Sequence, residues 1–287
     1  QPGASGKFGV VFKPPHPDQQ SIDIPCGRCI GCRLERSRQW AVRCLHEASL
    51  YDQNCFITLT YDNKHLPAGG NLVKSDLQKF FKRLRKRFGK FRYYACGEYG
   101  SELGRPHFHA CIFGFDFADK CLWSMRGGVR LYVSADLAAL WPFGFSTIGQ
   151  VTFESAAYVA RYVTKKITGD MAKEHYTRFD STTGEFWELT PEFNVMSRRP
   201  GIAKPWLDKY ISDVFPGDFV ISRGREMKPP RYYDVQFEKS DVWKHFEVKR
   251  ERMNAAKEHA DDNTPRRLQD KEAVAVAKLN LSRRSIT

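Results

Sequence analysis

The chain has 287 residues, room for one large domain or two small ones with a true core. Its 46 Lys and Arg outnumber 33 Asp and Glu, a net charge of +13 that favours a polyanionic partner, nucleic acid ahead of an acidic membrane. A hydrophobic share of 41% excludes a disordered basic tail, and the lack of any run of 18 apolar residues excludes a membrane-spanning helix. No secretory pattern opens the chain, so its thiols are expected in a reducing compartment; Gln1 rather than Met stands first, so further residues are expected before it.

Residues 1–25, with five prolines, read as irregular. Leu34, Ala41, Cys44, Leu45 and Ala48 predict a helix from Cys32 to Tyr51. Cys55 to Tyr61 reads as a strand, rich in β-branched and aromatic residues. After the Pro67 to Gly70 loop, Ser75 with Gln78 has the form of a capping box. Leu77, Phe80, Phe81, Leu84 and Phe88 then make one apolar helical stripe, and Gly89 stops it. Strands are expected at 91–98 and 107–114 around a hairpin loop, Tyr99 to Pro106. Residues 115–133 read as an insertion. A short helix from Ser134 to Trp141, a strand from Phe145 to Thr152 and a helix from Glu154 to Ile167 follow. The order β-α-β-β-α-β predicts an α+β fold: a ferredoxin-like antiparallel sheet with helices on one face, plus extra helices. The expected division is a Cys-rich segment with its helix (1–54), a sheet domain (55–215) and a charged, largely helical extension (216–287).

His107-Phe108-His109 carries the sharpest chemical signal. Alternation along a strand aims both imidazoles at one face, where they can share a divalent cation. A hairpin through 99–106 brings Glu98 beside them, and two imidazoles with one carboxylate suit Mg²⁺ or Mn²⁺ at a phosphodiester. His-x-His also describes an ordinary strand surface. Tyr158, Tyr162 and Lys165 share one helix face. They describe either tyrosines packed on a sheet or a phosphotyrosine-forming site, in which a tyrosine oxygen attacks phosphorus beside an ammonium.

The His-hydrophobic-His text resembles the metal motif of HUH endonucleases. Phe56-Ile-Thr-Leu-Thr60 resembles their first motif, and Tyr158-x-x-x-Tyr162-x-x-Lys165 their two-tyrosine third motif, in the same order. Pro25 to Trp40 (PCGRCIGCRLERSRQW) is further similar to replication-initiation proteins of gokushovirus-type microviruses, and the likeness covers about residues 25 to 215. The resemblance implies rolling-circle initiation in the host bacterial cytoplasm. One strand of single-stranded or supercoiled viral origin DNA would be nicked, a tyrosine joined to the 5′ phosphate, and the strand later religated. It implies His107 and His109 as metal ligands, Tyr158 and Tyr162 as nucleophiles and Lys165 as the motif lysine. Host helicase and polymerase are expected partners; the chain has no P-loop sequence. The rival readings are a non-catalytic module that binds single-stranded nucleic acid on its sheet, and a metal-dependent nuclease using activated water, which gives Tyr158 and Tyr162 no role.

Two features remain. Cys26-x-x-Cys29-x-x-Cys32 fits structural Zn²⁺ if a fourth ligand exists, with Cys44 and His46 downstream; reduced packing thiols are the alternative. Lys74 to Arg92 holds nine basic residues against one acid. Lys79, Lys82, Arg83 and Lys86, with Arg161 and Lys166, are therefore expected to contact the DNA backbone.

Overall fold

The computed structural model describes residues 25–27, 29–100, 103–165, 171–179 and 183–281. Helix α1 (Ile30–Ala48) is capped by Cys29 and leads into β1 (Asn54–Thr60). Helix α2 (Lys74–Phe88) joins β1 to β2 (Arg92–Tyr99), and a hairpin continues into β3 (Pro106–Phe113). Strands β4 (Cys121–Arg126) and β5 (Val129–Val133) follow, then α3 (Ala135–Leu140), β6 (Ser146–Gly149) and α4 (Phe153–Lys165). Beyond lie α5 (Met171–Tyr176), the small hairpin β7 (Thr177–Phe179) and β8 (Phe186–Glu188), then β9 (Phe193–Met196) and α6 (Lys204–Val214). A second small hairpin, β10 (Val220–Ser222) and β11 (Arg225–Met227), precedes α7 (Arg231–Ser240), α8 (Val242–Glu258) and α9 (Pro265–Leu281).

The α+β expectation holds. The large sheet runs β4-β5-β6-β1-β3-β2-β9, and its paired strands are antiparallel. Its inner four strands, β6-β1-β3-β2, are the split β-α-β arrangement, with β3, which carries His107 and His109, between β1 and β2.

Alternation along the strands makes two different faces. Ile57, Leu59, Phe108, Ala110, Ile112 and Ala95 point to one side. There they form the main core with Leu77, Phe80, Phe81 and Leu84 of α2, Leu137 and Leu140 of α3, and Trp141. Burying each large apolar side chain contributes about 1.5–3 kcal/mol, so this cluster is the chief source of stability. Tyr94, Cys96, Cys111 and Phe113 point to the other side, under α1 (Ala41, Cys44) and α4 (Ala156, Val159, Ala160). Both crossover helices thus share a face, as expected, and the extra helices cover the reverse.

Residues 216–248 pack back on α1. Val42 joins Leu207, Phe215, Tyr233, Phe237 and Val248 in a third cluster, Phe215 stacks on Phe237 at 4.2 Å, and His46 Nδ1 pairs with the Tyr233 hydroxyl at 2.7 Å. Helices α7, α8 and α9 make up most of the described chain after residue 230.

Two local expectations are corrected. Residues 115–133 are not a bare insertion: β4 and β5 extend the sheet beyond β6. Their tight Gly127-Gly128 turn and alternating apolar residues were the overlooked signal. The capping box does not form either; α2 begins at Lys74 after Val73, which offers no side-chain cap, so Ser75 lies inside the helix. Gly89 does end α2, with φ of 90°, a conformation that suits glycine.

Candidate active site on the α4 face of the sheet

Register brings the site together. Glu98 lies opposite His107 across the β2–β3 pair, Thr60 lies opposite His107 across β1–β3, and Thr58 opposite His109. Residues directly opposite share a face, so two threonines, two histidines and one carboxylate converge there. Each imidazole is held by its Nδ1: His107 to Thr60 Oγ1 at 2.9 Å, His109 to Thr58 Oγ1 at 3.0 Å. With Nδ1 engaged, Nε2 is the atom left for other chemistry.

Glu98 is 2% exposed and His109 6%. Glu98 Oε1 lies 2.7 Å from His109 Nε2 and accepts a hydrogen bond from the Tyr158 hydroxyl at 3.2 Å. An ionised carboxylate is purely an acceptor, so a proton or a cation must lie between it and Nε2. Its second oxygen, Oε2, is buried with no hydrogen-bond partner, a costly arrangement that an added cation relieves. The Tyr158 ring stands edge-on to His109, with centroids 5.0 Å apart at 89°. Tyr158 is set by α4, which Ser37 of α1 grips through a 2.9 Å hydrogen bond to the Ala157 carbonyl.

Burial, aided by repulsion from His109 and Arg105, pulls the His107 imidazole down to about 4. It is therefore neutral near pH 7, as a metal ligand must be. Gly100 leaves room at His107; a Cβ there would stand 3.0 Å from Nε2. The donor set, the neutral imidazole and the orphaned carboxylate oxygen fit a divalent cation held by His107, His109 and Glu98. Glu98 and His109 are in contact, but the three donor groups are not gathered within 4.8 Å of one another as they stand.

Tyr162 and Lys165 continue α4 beyond Tyr158, their side chains outside the described residues, and Lys166 lies outside them altogether. Helix α2 packs on the opposite face of the sheet, so Lys79, Lys82, Arg83 and Lys86 are not brought to the site. Lys82 and Lys86 are exposed, and Lys79 stands 3.9 Å from Asp76. Arg83 is committed to structure: its guanidinium donates two hydrogen bonds to the Leu140 carbonyl at the end of α3. Arg161, on the same helix as Tyr158, lines an open cleft with Arg267, Lys271 and Lys278 of α9, and Arg267 and Lys271 pair with Asp262. Sequence reading missed those three, because nothing in the spacing shows that α9 returns to α1 and α4. It also gave Thr58 and Thr60 no role; two hydroxyls on alternate residues of an otherwise apolar strand were the available sign.

Residues 54–167 match the family model described as replication-associated protein ORF2/G2P. The chain is 32% identical to replication-associated protein VP4 of Bdellovibrio phage phiMH2K, over 86% of this chain and 78% of that protein. It is 34% identical to replication-associated protein ORF2 of Spiroplasma virus 4, over 75% of this chain and 68% of that protein. The chain belongs to the microvirus-type phage replication-associated proteins. A shorter match, 38% identical over 52% of this chain, joins it to replication-associated protein ORF4 of Chlamydia phage 1, of which it covers 39%. No solved structure matches it. This replication-associated protein has, among its described residues, no helix long and apolar enough to cross a membrane.

Proposed function

We propose that this replication-associated protein is a nickase and strand transferase that opens one strand of viral origin DNA by attack of a tyrosine oxygen on phosphorus. The observation that carries this reading is the Glu98 carboxylate, which contacts His109 Nε2 at 2.7 Å and the Tyr158 hydroxyl at 3.2 Å through the same oxygen. Nucleophile and metal donors are one carboxylate apart.

A bound Mg²⁺ or Mn²⁺ would supply polarisation of a phosphate oxygen and charge neutralisation. Glu98 orients the Tyr158 hydroxyl and keeps its oxygen beside the imidazoles; Thr58 and Thr60 lock the ring planes. In the step itself the tyrosine oxygen bonds to phosphorus and gives up its proton. The bond from phosphorus to the 3′ oxygen breaks, and that oxygen leaves as a 3′ hydroxyl. No high-energy cofactor is needed, because one phosphoester replaces another. The 3′ hydroxyl primes synthesis by a host polymerase, with strand opening by a host helicase. Tyr162 is the second nucleophile of the cycle, Lys165 its neighbouring cation, and religation reverses the first step. The host bacterial cytoplasm is the setting this requires.

The test is incubation with a labelled single-stranded origin fragment and Mg²⁺ or Mn²⁺. A protein–DNA band that survives denaturation is expected, and it disappears when both Tyr158 and Tyr162 are changed to Phe. Binding with no covalent band under any metal condition would leave the non-catalytic binding module as the correct reading.

A further inference from the structure

We propose that Cys26, Cys29 and Cys32 hold a single Zn²⁺ that clamps the start of α1, at a site separate from the histidine pair. The sulfurs of these three residues all lie within 4.8 Å of one another. Among the described residues they form the one group of three His, Cys, Asp or Glu donors so gathered.

Exposure separates these thiols from packing thiols. Cys44, Cys55, Cys96 and Cys111 are buried in the cores; Cys26 and Cys29 are exposed and Cys32 is half-buried. Cysteine is ordinarily among the most buried residue types, so three clustered near the surface are not there to fill a core. The backbone is shaped around the sulfurs. Gly27, at φ of 72°, turns the chain so that the Cys29 amide donates to Cys26 Sγ at 3.2 Å. Cys29 then caps α1, its Sγ accepting the Cys32 amide at 3.5 Å.

The distance between sulfurs is compatible with zinc. Tetrahedral zinc, with Zn–S near 2.3 Å, spaces its sulfurs about 3.8 Å apart. Cys26 Sγ and Cys32 Sγ are 3.9 Å apart. A [4Fe–4S] cluster places each thiolate on its own iron, farther apart, so a mononuclear site fits better. Cys44 and His46 are not the fourth ligand: Cys44 lies roughly 18 Å along α1 from Cys32, and His46 is engaged by Tyr233. Water fills that position.

The clamp has a structural consequence. Ser37, one to two turns on, anchors α1 to α4 beside Tyr158, so fixing the start of α1 steadies the tyrosine helix.

The test loads the full chain, purified under reducing conditions, with Co²⁺ in place of zinc. One equivalent is expected to give an intense sulfur-to-cobalt charge-transfer band, which weakens by about a third in Cys26→Ser or Cys32→Ser and disappears in the triple Ser variant. Circular dichroism checks that each variant folds. A His107→Ala, His109→Ala variant keeps the band, because imidazole ligands give none, so the outcome is independent of the nickase reading. No thiolate band in folded protein, or a band indifferent to the Cys26→Ser and Cys32→Ser changes, would overturn the proposal. Iron and sulfide found in the purified protein in place of zinc would overturn the choice of metal.

Discussion

The two faces of the one sheet are built from the same strands and serve opposite ends. On the α2 face, β1 and β3 present Ile57, Leu59, Phe108, Ala110 and Ile112, all at most 1% exposed, to a dry helical layer. On the α4 face, the residues between them are Thr58, Thr60, His107 and His109, and the partner across the hairpin is Glu98. One residue of offset along a strand separates an apolar packing surface from a polar one. The polar face tolerates burial because every ring is tied through Nδ1, and it keeps one buried oxygen, Glu98 Oε2, without a partner. Under the proposed function the main core lies on one side and the polar cluster on the other, so substitutions in the two should fail in different ways.

The largest effect is expected on the polar face. Changing His107 and His109 together to Ala should lower metal-dependent cleavage by about three orders of magnitude, the several kcal/mol a metal contributes at a phosphate. DNA affinity should change little, since many Lys and Arg side chains supply it. Parallel cleavage and filter-binding assays check this; equal losses in both would mean that the faces are not functionally separate.

Phe80→Ala makes the converse break. It opens a cavity in the dry layer and should cost about 3–5 kcal/mol of folding stability, read by urea denaturation. Cleavage per folded molecule should be unchanged, because Phe80 lies across the sheet from Tyr158.

A smaller effect concerns pH and the histidine that ties α1 to the C-terminal helices. Burial pulls His46 down to about 4, against about 6.5 in an unfolded chain. Its folded pKa is depressed, so the unfolded chain binds the proton first. Stability is therefore full above pH 6.5 and is lost as pH falls toward 4. Between pH 7 and 5.5 the loss from this residue is about 1 kcal/mol. His46→Gln should flatten that part of the curve in denaturation series at the two pH values.

The smallest expected change decides which basic surface carries the strand. Lys82→Ala with Lys86→Ala, behind the sheet, and Lys271→Ala with Lys278→Ala, in the cleft with Arg161, are to be compared by salt dependence of single-strand binding. Removing one cation that neutralises a phosphate lowers the log–log slope by about 0.7. The pair that flattens the slope marks the track; if it is the α2 pair, the DNA wraps past the edge of the sheet to reach the site.

Local pattern alone determined much of this protein. Apolar spacing located α2 and its buried stripe; strand alternation put His107 and His109 on one face; the hairpin loop returned Glu98 to them; Tyr158 fell on a helix after the last inner strand. Each of these depends on residues a few positions apart, where helical and strand periods act directly. Tertiary structure decided the rest. Which face α2 covers, and hence that its lysines lie behind the site, depends on how the whole crossover packs. That Thr58 and Thr60 hold the imidazoles depends on the β1–β3 register, between residues about fifty apart in the chain. That α9 brings Arg267, Lys271 and Lys278 to Arg161 depends on a return of more than a hundred residues. Such pairings leave no period in the sequence, because the physical quantity that selects them is the shared burial of distant surfaces rather than the geometry of a single helix or strand.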